Sequence, residues 1–426
     1  MNYLNNKKYI VGIIGLGYVG VPTAIAIAKN KNKVIGFDIN KEKVANINEG
    51  VSYISDISSN DLMEVREYLS ATTQFEDLAQ CDVVIIAVPT PLTKRKTPDT
   101  SAIEEAANKI TKYYKKGALI ILESTTYPGT TEELLLPILE KNGRQVGKDF
   151  FLVFAPERID PGNKNFKTFK VTKIIGALDE VSRKKAAEFY STFIEKIHCV
   201  SSARAAEFTK LYENTFRLIN ISFVNEMNLL AKTMGISMAE VIEAAKTKPY
   251  GFMAFMPGPG AGGHCIPLDP YYLSSKAREF GFITQFINLA GEINDKMPEI
   301  VINEISQILN KNEKNISNSK ILIIGVAYKK NIDDPRESPA LTIINELLEL
   351  GANVNYHDPY IPKIKINEIE FNSVTLSKEL VKANDLVIVL TDHENVEYDL
   401  IEKNAQYIFD TRRIIKNENN NVSYLY

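Results

Sequence analysis

One cysteine of this sequence follows a loop that is almost free of side chains. Residues 257–265 read PGPGAGGHC, and four glycines within six positions let the backbone wrap closely around a ligand. A thiol at this place could act as a nucleophile if a nearby cation or a cluster of N–H groups lowers its pKa. His264 suggests a Cys–His dyad, but neighbouring side chains of an extended loop point apart. Cys265 is therefore a candidate nucleophile, and a structural loop with an inert buried cysteine is the alternative.

A second glycine-rich segment has the spacing of a dinucleotide-binding turn. Residues 15–20 read GLGYVG, follow an apolar run and open a helical pattern. Its glycines permit a tight turn, a close approach to a pyrophosphate and close packing of helix on strand. Asp38 ends the next predicted strand, where its carboxylate could accept hydrogen bonds from a ribose diol and would repel a 2′-phosphate. The pattern predicts NAD rather than NADP, and a glycine turn that only packs is the alternative.

Further polar residues follow predicted strands, at the edge where open α/β sheets bind ligands. They are the segments Glu123-Ser124-Thr125 and Ala155-Pro156-Glu157-Arg158 and, in the last third of the chain, Lys329, Lys330 and Arg336. Glu157 could serve as a general base and Arg158 as a clamp for an anion or a carbonyl. The basic residues of the last third are placed for phosphates. Solvated surface loops are the alternative for both groups.

A long predicted helix carries a lysine and an amide on one face. Lys210 and Asn214 are four residues apart, and Arg217 lies one further turn along. Facing a cleft, they could polarise an alcohol or carbonyl oxygen, and Asp269 could orient a water or the lysine. The alternative is that these polar residues lie on a solvent-exposed face of a long helix.

These residues require an α/β framework with a helical centre. The 426 residues favour about three domains. Apolar runs alternate with helical stretches over the first third and again after a polar linker at 310–319, which predicts parallel sheets covered on both faces. Residues 202–234 contain neither proline nor glycine and predict one helix of about 50 Å that ends at Gly235. We therefore expect two Rossmann-like parallel-sheet domains, at 1–201 and 313–426, joined by a long helix and a central helical domain at 202–312.

Composition excludes several classes of protein. Apolar residues make up 45% and charged residues 24%, a globular mixture, and the net charge of −3 gives no general attraction to nucleic acid or an anionic membrane. Three scattered cysteines favour a reducing cytoplasm and fit neither a disulfide framework nor a metal site; Cys81 and Cys199 are expected in the core. Residues 9–28 carry no charge, but their four glycines favour a strand, turn and helix over a membrane span.

Together the motifs resemble those of the UDP-glucose/GDP-mannose dehydrogenase family over nearly the whole chain. The segments that carry the resemblance are GLGYVG (15–20), VPTP (88–91), EST (123–125), APER (155–158), the pair Lys210 and Asn214, PGPGAGGHCIPLDP (257–270) and YKKNIDDPRESP (328–339). The resemblance implies two Rossmann-like domains and a helical centre that forms a homodimer.

The resemblance also implies a reaction, the oxidation of a sugar C6 alcohol to a carboxylate with two NAD⁺, which would supply polysaccharide biosynthesis. Cys265 would form a thiohemiacetal and then a thioester, and Glu157 would activate the water that hydrolyses it. Thr125, Lys210, Asn214 and Asp269 would hold this water and the substrate oxygen. NAD contacts are implied for Gly15, Gly17, Tyr18, Val19, Gly20, Asp38, Lys43, Thr90, Thr125 and Arg336. Substrate contacts are implied for Arg158, Ile159, Lys210, Asn214, Arg217, Gly262, Tyr328 and Lys329.

Two departures from the family's UDP-glucose branch bear on the substrate. Arg158-Ile159 stands where that branch has Phe-Leu, and His264 rather than serine precedes the cysteine. Both look like the branch that oxidises UDP-N-acetylhexosamines, so UDP-N-acetylglucosamine is the expected substrate. UDP-N-acetylgalactosamine, UDP-N-acetylmannosamine and UDP-glucose remain open. A two-electron 3-hydroxyacid dehydrogenase would need no cysteine and would leave the second α/β domain unexplained, and in a non-catalytic NAD sensor Cys265 and Lys210 would be incidental.

Overall fold

The structure, a computed structural model, describes residues 7–54, 57–93, 96–158, 170–263, 266–416 and 420–426. The chain divides into two compact units. The first comprises Met1–Glu213 and Tyr271–Ile283, and the second comprises Asn214–Pro270 and Thr284–Tyr426.

The first unit is built on a sheet of eight strands among the described residues. They are β1 (Ile10–Ile14), β2 (Lys33–Phe37), β3 (Leu69–Thr72), β4 (Val83–Ile86), β5 (Leu119–Leu122), β6 (Phe151–Phe154), β7 (Lys173–Ala177) and β8 (Ile197–Cys199). Their order is β3-β2-β1-β4-β5-β6-β7-β8, and every neighbouring pair is parallel except the antiparallel pair β6–β7. The order reverses between β1 and β4, which is where sheets of this kind open a ligand crevice.

Apolar side chains cover both faces of this sheet. Alternate residues of β1 enter different clusters, with Val11 and Ile13 on one face and Ile14 on the other. The helices are α1 (Gly20–Lys29), α2 (Lys41–Glu49), α3 (Ser59–Glu64), α4 (Ser101–Tyr113), α5 (Leu136–Leu139) and α6 (Glu180–Tyr190). Shorter 3₁₀ turns span Phe75–Gln80 and Lys141–Gly143, and a π-helical turn spans Thr130–Leu135. The predicted Rossmann-like sheet is confirmed.

Helices dominate the middle of the chain, and the first and the last of them are long. They are α7 (Ala203–Thr233), α8 (Met238–Ala245), α9 (Asp269–Glu279) and α10 (Gln285–Lys311). The Ser202 hydroxyl accepts a hydrogen bond from the Ala205 amide at the start of α7 (3.1 Å), and Gly235 follows its end with a φ of 70°. The helix predicted over 202–234 is confirmed.

The second unit contains a parallel sheet of five strands within the described part of the chain. These are β9 (Lys320–Ile324), β10 (Asn353–His357), β13 (Leu386–Val389), β14 (Ile408–Asp410) and β15 (Val422–Tyr424), in the order β10-β9-β13-β14-β15. A separate antiparallel hairpin joins β11 (Lys363–Ile366) to β12 (Ile369–Asn372), and the helices are α11 (Pro339–Glu349), α12 (Lys378–Ala383) and α13 (Tyr398–Asn404). The predicted second Rossmann-like sheet is thus also confirmed.

The two described cysteines differ from each other in burial. Cys81 lies in the core, where burial raises the pKa of its thiol to about 12. Cys199 is exposed, because it ends β8 at the edge of the sheet, so its predicted core position is wrong. Within the described residues, no helix combines the length and the apolar character needed to cross a bilayer.

Candidate active site

The glycine turn after β1 has the geometry that a dinucleotide needs. Gly15 has a φ of 99°, and its amide donates to the Phe37 carbonyl (2.8 Å). A Cβ atom on Gly15 would lie 2.5 Å from the Ala87 carbonyl oxygen, and one on Gly20 would lie 1.9 Å from the Gly15 oxygen. A Cβ on Gly17 would meet no atom within 4 Å, so the backbone there is open to a ligand. The turn therefore fits a pyrophosphate at the start of α1.

Asp38 stands at the carboxyl end of β2 beside this turn. Its Oδ2 accepts the Leu16 amide (2.9 Å), its Oδ1 accepts the Asn40 amide (2.9 Å), and the Lys43 ammonium lies 3.8 Å from Oδ2. Each carboxylate oxygen can accept a second hydrogen bond. The carboxylate can thus accept a ribose diol, and it is anionic where NADP would place a phosphate. The residues present fit NAD.

The loops after β4 and β5 are tied together by side chains. The Thr90 hydroxyl donates to the Thr125 carbonyl (2.6 Å), and the Ser124 hydroxyl donates to the Val88 carbonyl (2.7 Å). The buried Tyr272 hydroxyl donates to the Thr90 carbonyl. Thr90 and Thr125, both predicted at the cofactor site, therefore lie side by side next to the crevice.

Arg158 is held by a partner that the sequence analysis did not single out. Its guanidinium donates to both carboxylate oxygens of Glu213 on α7 (2.6 and 3.2 Å) and to the Thr172 carbonyl (2.7 Å). The Arg158 amide also donates to Glu157 (2.7 Å). The Glu157 carboxylate lies 3.6 Å from the ammonium of Lys173, a second residue that the sequence analysis missed. The sequence signal for this residue is a lysine at the start of the otherwise apolar strand β7, because a lysine in a buried strand needs a nearby carboxylate.

The polar face predicted on the long helix α7 is buried at Lys210 and Asn214. Lys210 is 9% exposed and Asn214 is 5% exposed, whereas Arg217 is exposed. The Asn214 amide donates to the fully buried Asp269 carboxylate at the start of α9 (2.5 Å). The structure therefore brings Asn214 and Asp269 together, and the solvated alternative does not hold for Lys210 and Asn214.

Two asparagines hold the glycine-rich loop from the helices beneath it. The Asn225 side chain on α7 accepts the Gly258 amide (2.9 Å), and the Asn294 side chain on α10 accepts the Ala261 amide (2.6 Å). Neither residue stands out in the sequence, because a helical period does not show which polar side chains turn toward a loop. The predicted residues Ile159, His264 and Cys265 lie outside the described residues.

The same loop lies against the segment that follows β9. The Gly263 amide donates to the Arg336 carbonyl (3.1 Å), and Cβ atoms on Gly262 and Gly263 would lie 2.8 and 2.7 Å from the Tyr328 side chain. The Arg336 guanidinium pairs with both oxygens of Asp334 (2.6 to 3.0 Å), and the Lys330 ammonium lies 3.5 Å from Glu394. Gly262 and Tyr328, both predicted to contact substrate, are therefore neighbours.

A parallel sheet that reverses its strand order beside a glycine turn, with an acidic residue after the second strand, defines a dinucleotide-binding Rossmann protein. Sequence profiles of one family match three stretches of the chain. They are the NAD binding domain at residues 9–194, the central domain at 204–296 and the UDP binding domain at 322–417. The chain belongs to the UDP-glucose/GDP-mannose dehydrogenase family.

Relatives with different sugar substrates are similar to this chain. A UDP-N-acetyl-D-glucosamine 6-dehydrogenase of Pseudomonas aeruginosa is 37% identical over 83% of this chain and 84% of its own. The structure of a UDP-D-ManNAc dehydrogenase of Pyrococcus horikoshii superposes with a TM-score of 0.88 at 35% identity, covering 97% of this chain and 98% of its own. That of an NDP-N-acetyl-D-galactosaminuronic acid dehydrogenase of Methanosarcina mazei superposes with a TM-score of 0.81 at 30% identity, covering 100% and 97%. The protein is thus an NAD-dependent nucleotide-sugar dehydrogenase, an oxidoreductase.

Proposed function

We propose that the protein oxidises the C6 hydroxymethyl group of a UDP-N-acetylhexosamine to the carboxylate in two successive oxidations. The observation that carries this proposal is the fixed loop before Cys265, whose amides are held by the buried Asn225 and by Asn294. A two-electron dehydrogenase needs no thiol and would gain nothing from holding such a loop. A four-electron enzyme needs a nucleophile that retains the aldehyde between the two oxidations.

The proposed steps use residues of this chain for binding, for proton transfer and for covalent capture. When bound, NAD⁺ would supply the acceptor for the hydride that leaves the sugar carbon in each oxidation. The substrate hydroxyl loses its proton as its carbon becomes an aldehyde, and the Cys265 thiolate adds to that carbonyl carbon. Loss of the second hydride converts the thiohemiacetal into a thioester. Water then adds to the thioester carbon, the C–S bond breaks, and the carboxylate and the thiolate are released.

Buried polar groups supply the electrostatics of these steps. The Lys210 ammonium stabilises the oxyanion that develops in each step, and the Asn214 amide, fixed by Asp269, donates to the same oxygen. Glu157 accepts the proton of the attacking water. Thr125 orders this water, and Arg158, Ile159, Arg217, Gly262, Tyr328 and Lys329 contact the nucleotide sugar. Gly15, Gly17, Tyr18, Val19, Gly20, Asp38, Lys43, Thr90, Thr125 and Arg336 contact NAD.

UDP-N-acetylglucosamine is the substrate that we propose first. The similar proteins named above are named for N-acetylglucosamine, N-acetylmannosamine and N-acetylgalactosaminuronic acid derivatives at 30 to 37% identity, and the one named for the glucosamine sugar is 37% identical. A panel of UDP-N-acetylglucosamine, its galactose and mannose epimers and UDP-glucose, compared by kcat/KM from NADH absorbance, tests this order. If another sugar of the panel has a higher kcat/KM, that sugar and not UDP-N-acetylglucosamine is the substrate.

Stoichiometry tests the proposed chemistry. We expect two NADH for each UDP-sugar consumed, counted by absorbance and by chromatography of the sugar nucleotide. Cys265→Ser should lower turnover about a thousandfold or more while NAD⁺ binding persists, because the nucleophile is lost and the cofactor site is not. Cys199→Ser, which replaces the exposed cysteine, is the matched control and should turn over normally. One NADH per sugar would indicate the hydroxyacid-type reaction, and none would indicate an NAD sensor.

We also propose a homodimer in the cytoplasm. One face of α7 carries the exposed apolar residues Tyr212, Phe216, Phe223, Leu230 and Met234, and contiguous apolar surface of this kind is typical of an interface. An apolar stripe that faces solvent over about six turns of helix would be costly in a monomer. Three scattered cysteines are typical of a chain that works under reducing conditions.

A further inference from the structure

A buried lysine in the first unit lies between two carboxylates. The Lys173 ammonium is 2.6 Å from Glu123 and 3.6 Å from Glu157. The side chains of Lys173, Glu123 and Glu157 are 8%, 0% and 15% exposed. Buried charges are costly unless they are paired, so the two acids share one cation.

The remaining contacts of Glu123 fix this arrangement. The Tyr190 hydroxyl donates to Glu123 Oε1 (2.7 Å), and the Thr23 hydroxyl donates to Oε2 (3.4 Å). Burial alone would lower the pKa of Lys173, but the charges of Glu123 and Glu157 outweigh it and raise this pKa above its ordinary value. Burial and the Glu123 charge raise the pKa of Tyr190 well above its usual value, so this hydroxyl acts as a donor. The lysine therefore stays charged and in place.

Glu157 is the second carboxylate beside this lysine. Its Oε1 accepts the Arg158 amide, and its Oε2 is the oxygen nearest to Lys173, so each carboxylate oxygen has a fixed neighbour. Glu123, Glu157, Lys173 and Tyr190 line a cavity of about 10 Å³, close to the space that one water requires. Lys173 is thus the contact through which the fully buried Glu123 can influence Glu157.

We propose that Lys173 and Glu123 are positioning residues for Glu157, with the Lys173 ammonium attracting and orienting its carboxylate, and Glu123 moderating that attraction. This inference rests on the proposed role of Glu157 as the base that activates water. In that step the proton of the attacking water moves to Glu157 while the C–S bond of the thioester breaks. Lys173 keeps its proton throughout.

Two substitutions should move the pH profile of kcat in opposite directions. In Lys173→Met, Glu157 loses its cation and keeps a nearby carboxylate, so the acid limb should move to higher pH by about one unit. In Glu123→Gln, Glu157 is the one carboxylate of the two that still pairs with Lys173. The acid limb of the kcat profile should therefore move to lower pH. Lys173→Arg should return the limb toward that of the wild type. Lys184→Met, which changes an exposed lysine on α6, should leave it unchanged.

A second measurement follows the covalent state of the protein instead of its turnover. Slower hydrolysis in Lys173→Met should accumulate the acylated protein, observed as an added sugar-nucleotide mass after acid quench. If Lys173→Met does not fold, the double variant Glu123→Gln/Lys173→Met removes both buried charges together. The acid limb of its kcat profile should still lie at a higher pH than that of the wild type.

The outcomes separate this inference from the proposed function. If Glu157→Gln hydrolyses the acylated protein at the wild-type rate, Glu157 is not the base and that part of the proposed function fails. If Glu157→Gln accumulates acylated protein while the limbs of the Lys173 and Glu123 variants stay at the wild-type pH, the positioning role is overturned and the proposed function stands. Opposite shifts in Lys173→Met and Glu123→Gln support the positioning role.

Discussion

Asp38 and Asp358 hold equivalent places in the two Rossmann sheets, yet only Asp38 is available to a ligand. Each accepts the amide of the residue after the first glycine, Leu16 for Asp38 (2.9 Å) and Val326 for Asp358 (2.7 Å). Asp38 keeps an exposed edge, whereas Asp358 is fully buried and receives a further hydrogen bond from His393 (3.1 Å). The carboxylate that is proposed to bind a ribose in the first sheet therefore corresponds to a structural group in the second.

Replacement of Asp38 should change the preference between cofactors. In Asp38→Ala the diol loses a charged acceptor and a 2′-phosphate loses a repelling charge, so NAD⁺ binding should weaken about tenfold or more. NADP⁺ should bind relatively better, as measured by calorimetric titration of both cofactors. Glu42→Ala, in the exposed first turn of α2, is the control. An unchanged ratio of the two affinities would show that Asp38 does not contact the ribose.

Replacement of Asp358 should affect stability in a pH-dependent way. Burial would raise the pKa of Asp358, but hydrogen bonds from His393 and backbone amides hold it below its ordinary value. The ionised group therefore stabilises the fold above its unfolded pKa of about 4, and this contribution is lost as pH falls through the lower folded pKa. Asp358→Asn should lower the free energy of unfolding at pH 7 by about 2 kcal/mol or more, seen as a lower urea midpoint. The reason is that the N–H₂ group of the new amide then faces backbone N–H donors.

The pH dependence supplies the control for this effect. The difference between Asp358→Asn and the wild type should shrink when urea unfolding is repeated below pH 4. Asp399→Asn, in the exposed first turn of α13, should leave the midpoint unchanged. A difference that is the same at every pH would mean that the charge of Asp358 does not stabilise the fold.

The sequence predicted those parts of the fold that local pattern determines. Strands such as β4, with four buried residues in a row, and the uninterrupted helix α7 stand out by composition. β3 and the edge strand β8 were missed because they are short and partly exposed. Lys173 was missed for another reason: its partner Glu123 lies 50 residues earlier, and only the folded sheet brings them together. The motifs identified the loop before Cys265 but not the asparagines that hold it.

Gly263 should be essential for the segment that is proposed to bind the UDP-sugar. A methyl group at this position would meet the Tyr328 ring at 2.7 Å, and the φ of 85° disfavours a side chain. Gly263→Ala should therefore displace Tyr328 and weaken UDP binding about tenfold, measured by calorimetry, with NAD⁺ binding retained. Gly251→Ala is the matched control, because its φ of 66° carries a similar backbone cost with no atom near the added methyl. Equal UDP affinity in both variants would contradict a role for the contact with Tyr328.

The apolar face of α7 makes the oligomeric state testable. Phe223 is 56% exposed near the middle of this face, and a carboxylate there would have to be desolvated in a packed interface. Phe223→Asp should shift the mass in sedimentation equilibrium from twice the 47.8 kDa of one chain to a single chain, with helix content unchanged in circular dichroism. Asn310→Asp adds the same charge at an exposed position on α10 and should remain dimeric. A wild-type protein that sediments as a monomer would refute the homodimer. A dimeric Phe223→Asp would place the interface elsewhere, since burying an unpaired carboxylate costs more than such an interface can tolerate.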